Sequence, residues 1–173
     1  TLQVERLPKA RAWQQLQRGE SDFYPGASFS AGRSESVLWT DWPGLRTREV
    51  CLLRPGLRLQ GSLAQQRGLV IGVEPGSSKQ ELFPQHHFQP FGARLTVGKA
   101  VQVLAKGRAD LVIVDIEPLR AYLRHGGAQE MQALGVHADE RCLGDSKPLQ
   151  LAWSRRARPA CGPARSSSGS RSR

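Results

Sequence analysis

Two short apolar runs separated by an amphipathic stretch are the strongest constraint on how this chain folds. Leu69-Val70-Ile71-Gly72-Val73 is almost continuously apolar, and so is Leu111-Val112-Ile113-Val114. Runs of this kind suit strands that are covered on both faces. Between them Val97, Ala100, Val101 and Leu104 recur at i, i+3, i+4 and i+7, one face of a helix, and Gly107 is placed to end it. Strands alternating with helices predict an α/β architecture with a largely parallel sheet.

The flanking segments extend that pattern. Leu2 and Val4 read as a strand end, and Pro8 suits a first helical turn. Ala12, Trp13 and Leu16 then form an apolar stripe that Gly19 closes. Asp22 to Tyr24 reads as a short strand, followed by a loop of small residues from Pro25 to Gly32. Val37 to Trp39 reads as a buried segment. Val50 to Leu53, closed by Pro55 and Gly56, reads as a crossing between two lobes. A helical turn is expected around Glu81 and Leu82, and a short strand over Leu95 to Val97. Pro118 opens a helix bearing Leu119, Tyr122 and Leu123, stopped by Gly126 and Gly127. Leu149, Leu151 and Trp153 alternate as a last strand.

One echo points to two lobes. Gly19-x-x-Asp22 and Gly107-x-x-Asp110 each follow a helix and precede an apolar strand. Gly-x-x-Asp is also common turn chemistry between a helix and a strand. The expected division is a partial first lobe over 1–54 and a second lobe over 55–150. A return strand and an Arg/Ser-rich tail follow over 151–173. The length of 173 residues fits one domain or two small lobes.

Charge and cysteine usage exclude more than they identify. The formal net charge is +10, and six of those charges are arginines in the last twenty residues, Ser154 to Arg173. That segment has no apolar period and is expected to be disordered. The basic balance therefore says little about nucleic acid, which is not an expected partner. No apolar run is long enough to span a membrane, and the first residues lack a signal-peptide pattern. Cys51, Cys142 and Cys161 contain no Cys-x-x-Cys pair. A 51–142 disulfide is compatible with the sequence, but nothing in the sequence favours it. His86 and His87 read as solvated loop histidines. Gly76-Ser77-Ser78-Lys79 lacks phosphate-loop spacing, and no nucleophile elbow or zinc motif occurs. No enzyme activity, metal or cofactor is expected.

The polar residues at strand ends carry the functional signal. Ser28, Ser30 and Arg33 follow the Asp22–Tyr24 strand, Ser77 and Ser78 follow Leu69–Val73, and Asp115 ends Leu111–Val114. Ligands of open α/β sheets bind outside the carboxyl ends of strands. Arg33 suits a carboxylate, the serines suit hydrogen bonds to an anion, and Asp115 suits an ammonium. Together they describe a small zwitterion such as an amino acid. The plainer alternatives are a surface ion pair for Arg33 with Glu35 or Asp41, and helix caps for Ser77, Ser78 and Asp115.

These residues sit in a wider pattern. It comprises Leu7-Pro8-x-x-Arg11, Gly19-x-x-Asp22, Ser28-x-Ser30-x-x-Arg33 with Trp39-Thr40-Asp41, Gly72-Val73-x-x-Gly76-Ser77-Ser78, and Gly107-Arg108-x-Asp110 through Asp115. Over residues 4–153 the chain resembles the family 3 extracellular solute-binding proteins, the amino-acid binders of ABC importers. The resemblance implies a periplasmic binding protein type II fold, with two lobes about a ligand cleft. It assigns the ligand carboxylate to Arg33, hydrogen bonds to Ser28 and to the serines after Gly76, and the ammonium to Asp115. It further implies an ABC permease as membrane partner, a periplasmic location and a monomer. The approach to Arg33 departs from the family pattern, being Ser30-Ala31-Gly32-Arg33. The family domain is expected to extend beyond both ends of this sequence, leaving lobe 1 incomplete and lobe 2 largely intact. The alternatives are a ligand-sensing domain of the same fold in a signalling or regulatory protein, or a fragment that no longer binds.

Overall fold

The computed structural model describes residues 2–27, 29–75, 77–91, 95–143 and 147–156. The first residues form no strand; Leu2 and Val4 are 69% and 80% exposed. Helix α1 (Lys9–Arg18) begins after Pro8 and ends at Gly19 in the left-handed region, φ 79°. Strands β1 (Phe23–Ala27), β2 (Val37–Thr47) and β3 (Glu49–Leu53) follow, with the single turn α2 (Ala31–Ser34) between the first two. Then come β4 (Val70–Val73), α3 (Lys79–Leu82), β5 (His87–Pro90), α4 (Val97–Ala105) and β6 (Leu111–Asp115). The chain ends through α5 (Ile116–Tyr122), α6 (Ala128–Ala133), β7 (His137–Asp139) and β8 (Lys147–Ser154).

These strands build two sheets. The smaller has the order β1-β8-β2 and is wholly antiparallel. The larger has the order β5-β4-β6-β3-β7. Only β5, β4 and β6 run parallel; β3 opposes both β6 and β7. The sheet is thus mixed rather than largely parallel. An antiparallel pair needs no crossover helix, and β3 enters directly from the other sheet.

The sheet change falls at Arg48, between β2 and β3, so residues 49–53 belong to the second body and not to the first. The return strand starts earlier than 151 and is the central strand of the small sheet. Ser154, placed in the disordered tail by composition, is buried, and its N–H bonds the Asp22 carbonyl at 2.9 Å. Residues 157–173 lie outside the described residues.

Side-chain alternation explains the larger sheet. On β3, Val50 and Leu52 face a cluster with Val112, Val114 and the α4 residues Val97, Ala100, Val101 and Leu104. Cys51 and Leu53 face the opposite cluster, with Leu63, Ile71, Val73, Phe83 and Leu111. Cys51 and Cys142 form a disulfide there, with a Cα–Cα distance of 6.1 Å. The small sheet packs α1 through Leu16, Ala27, Val37 and Ala152, bordered by Trp13, Tyr24 and Trp39.

Several local expectations are corrected. Leu95 and Thr96 form no strand; Thr96 instead caps α4, accepting from the Lys99 N–H at 3.4 Å. His86 is buried rather than solvated. Its Nδ1 accepts from the Leu69 N–H at 3.3 Å, which leaves Nε2 to donate to the Leu63 carbonyl at 3.2 Å. The helix opened at Pro118 does stop at Gly126, as expected: His125 (φ −105°, ψ 38°) and Gly126 (φ 90°, ψ −5°) are non-helical, and α6 starts beyond them.

Candidate functional site

Strands β4 and β6 lie side by side and parallel, with Ile71 opposite Leu111 and Gly72 opposite Val112. Their carboxyl ends therefore open on the same side, where ligands of α/β sheets bind. A cleft of about 620 Å³ lies there, with Gly72, Val73, Ile113 and Val114 along its base. Glu49, Glu74, Ser77, Lys79, Thr96 and Asp115 give it polar walls. Lys9 reaches it from α1 of the other body.

Among the described residues, three carboxylates and two ammonium groups line this space. Glu49 at the start of β3 pairs with Lys79 on α3; their side chains are only 15% and 11% exposed. Lys9 Nζ stands 3.7 Å from Glu74 Oε2, a contact from one body to the other. Glu74 Oε1 accepts from the Leu95 N–H at 2.7 Å. Asp115 Oδ1 accepts from the Thr47 hydroxyl at 3.1 Å, which ties it to the end of β2. Ser77 Oγ accepts from the Lys79 N–H at 3.3 Å and retains its own hydrogen to donate. Among the described lining residues, carboxylates exceed cations by one. Such a cleft favours a ligand that carries positive charge as well as hydrogen-bonding groups.

The residues singled out in the sequence separate into two groups. Ser77 and Asp115 line the cleft. Asp115 precedes α5 but makes no side-chain cap, so its carboxylate is not used up in capping the helix start. Ser78 is buried at the start of α3 and does not line the cleft. Ser30 precedes α2 and is buried, and its hydroxyl finds no hydrogen-bond partner among the described residues. Arg33 is not a lining residue either. Its guanidinium lies over the Trp13 ring, 4.6 Å from the centroid. Desolvation pushes its pKa down, while the nearby Glu81 and Tyr24 charges push it up. Ser28 lies outside the described residues.

Sequence reasoning missed Lys9, Glu49, Glu74 and Lys79. Lys79 directly follows the Gly76-Ser77-Ser78 segment, but its burial and its pairing with Glu49 emerge only in the fold. Glu49 and Glu74 gain meaning only from the strand order. No group of three residues able to hold a metal occurs among the described residues, and no described helix is long and apolar enough to cross a membrane.

No family model matches the chain, and no curated protein matches it by sequence. Solved structures match its fold. An ancestral arginine-binding protein bound to arginine superposes with a TM-score of 0.64 at 20% identity, over 88% of this chain and 66% of that one. The arginine-, lysine-, histidine-binding protein ArtJ from Geobacillus stearothermophilus gives 0.61 at 19% identity, over 90% and 66%. The substrate binding protein of an amino acid ABC transporter gives 0.60 at 18% identity, over 90% and 67%. The chain thus spans about two thirds of the length of these structures. The mixed α/β fold is that of the type II periplasmic binding proteins.

Proposed function

We propose that this chain binds a small polar solute, an amino acid, in the cleft at the carboxyl ends of β4 and β6, for delivery to an ABC importer. The observation that carries the reading is the placement of Ser77 and Asp115 on one cleft whose charged walls mix carboxylates with ammonium groups. Its volume of about 620 Å³ is in the usual range for small-molecule sites. In this reading Asp115 takes the ligand ammonium and the Ser77 hydroxyl donates to its carboxylate. The one-carboxylate excess favours an amino acid with a cationic side chain. Structures of the same fold hold arginine, lysine and glutamine, which supports an amino-acid ligand.

The chemistry is binding rather than catalysis. Micromolar affinity requires about −8 kcal/mol, and each charge-assisted hydrogen bond supplies roughly 1.5–3 kcal/mol. Lys9 lines the cleft from the other body, so a bound solute also bridges the two. A solute favours the closed arrangement only by its differential affinity for it. In this reading a monomer delivers the solute to a membrane permease outside the cytoplasmic membrane; the likeness to the substrate binding protein of an amino acid ABC transporter supports the permease partner.

The test is a thermal-shift survey of the chain with each of the twenty amino acids, repeated on Asp115→Ala. The reading expects a rise of several degrees with a cationic amino acid, lost in the variant. A chain that melts cooperatively and responds to none of the twenty contradicts it.

A further inference from the structure

We infer that Lys9 with Glu74, and Glu81 with the turn at Gly32, form a charge clasp between the two bodies, so that part of the force closing the cleft is built into the chain and weakens with salt. The inference goes beyond solute binding and is tested without a solute.

The chain joins the bodies at Arg48, where β2 passes into β3, and again between β7 and β8. Glu74 follows β4, which stands two strands from β3 in the larger sheet, about 10 Å to the side. A contact made there resists any opening that pivots about the crossing at Arg48. Glu74 is the fixed half of that contact. Its Oε1 accepts from the Leu95 N–H at 2.7 Å, and its side chain is 24% exposed. Its Oε2 faces Lys9 Nζ, 3.7 Å away at the start of α1. Lys9, with a side chain 43% exposed, is the mobile half.

The second contact uses other elements. Glu81 lies on α3 of the larger body and Gly32 on α2, which packs on β2 of the smaller one. Glu81 Oε2 comes to 2.9 Å from the place that a Cβ on Gly32 would occupy. A side chain at Gly32 would displace the carboxylate from this position. The neighbouring Arg33 feels the same charge, which raises its pKa against the larger effect of burial.

Both contacts are made by protein groups alone. Exposed charge contacts are individually modest and are screened as ionic strength rises. Each is expected to shift the balance between open and closed arrangements about two- to fivefold. A solute then adds its differential affinity to a balance that is already tilted. Ionic strength thereby becomes a regulator of how readily the cleft opens.

Double electron–electron resonance reads the separation of the bodies directly. Nitroxides at Gln14→Cys on α1 and Gln89→Cys on β5, both exposed positions, would be placed in a Cys161→Ser background that keeps the Cys51–Cys142 disulfide. In the otherwise wild-type chain, the share of longer separations should grow about two- to fivefold between about 20 mM and about 500 mM salt. Lys9→Glu with Glu81→Lys replaces both attractions by repulsions at unchanged net charge, and both side chains are exposed. This double variant should show more of the longer separations at low salt and a reversed salt response. Separations that do not change with salt in the wild-type chain overturn the inference, whether or not the variant folds. A salt response of the same sign and size in a folded double variant overturns it as well.

Discussion

The Arg33 guanidinium lies 4.6 Å from the centroid of the Trp13 ring. Trp13 in turn packs on Trp39 and Tyr24, at centroid distances of 6.0 and 6.3 Å, so the arginine closes an aromatic cluster over the small sheet. A cation over an indole face that is partly desolvated contributes about 0.5–2 kcal/mol. Arg33→Ala is therefore expected to lower unfolding free energy by about 1 kcal/mol in a denaturant titration. An unchanged midpoint would show that the contact with the Trp13 ring adds no stability.

The Cys51–Cys142 disulfide closes a span of 91 residues. In the chain-entropy account, a loop of that length removes roughly 4–5 kcal/mol of disorder from the unfolded chain. Both sulfurs lie in the core on one face of the larger sheet. Reductant should lower the melting temperature by many degrees, and Cys51→Ser with Cys142→Ser should reproduce that drop and abolish the response to reductant. A melting curve indifferent to reductant would show that the bond does not form in solution.

Asp110 joins three segments. Its Oδ1 accepts from Arg54 Nε at 2.6 Å and its Oδ2 from the Val70 N–H at 2.7 Å. It thus fixes the start of β4 against the loop before β6. Asp110→Ala leaves a partly buried backbone N–H without its acceptor, which costs about 1–3 kcal/mol. Denaturant unfolding of the variant should show that loss. The equivalent Asp22→Ala should cost less, because Asp22 contributes its backbone carbonyl, to the Ser154 N–H.

Tyr122 donates its hydroxyl to Glu130 Oε2 at 2.6 Å. Burial first, then that bond and the Glu130 charge, push the Tyr122 pKa up from 10.0 to about 12. A phenol whose folded pKa is raised adds stability that is complete below the unfolded value and is lost as pH climbs towards the folded one. Wild type should therefore lose stability relative to Tyr122→Phe between about pH 10 and pH 12. Glu130 is lowered by the same bond and then by Gln102, so its share is lost instead as pH falls through its depressed pKa. Unfolding free energies of both proteins across these ranges check the signs.

Much of the larger body is legible in the sequence. The β4, α4 and β6 segments could be read because burial on both faces makes a strand apolar throughout, and because α4 keeps a single apolar stripe. The Gly-x-x-Asp echo also has a structural counterpart: Gly19 and Gly107 both take positive φ, 79° and 63°, between a helix and the strand after it. Other features depend on contacts distant in sequence. The Val50–Leu53 run looks the same in either sheet, and only its pairing with β6 and β7 assigns it. His86 is buried because Leu63 and Leu69 offer partners to both ring nitrogens. Within the candidate site, Ser77 and Asp115 were readable as residues at strand ends. Lys79 was not, since a lysine acquires a role in a cleft only through its burial and its counter-ion. Arg33 has the right chemistry for a carboxylate, but the Trp13 face competes for the same guanidinium.

The account rests on solute binding at Asp115, and the most direct measurement is isothermal titration of the whole chain with L-arginine, L-lysine and L-glutamine, alongside Asp115→Ala. The account predicts saturable heat at one site, stronger for the cationic amino acids, and at least tenfold weaker in the variant. Undiminished heat in Asp115→Ala, or no heat from a chain that unfolds cooperatively, would contradict it.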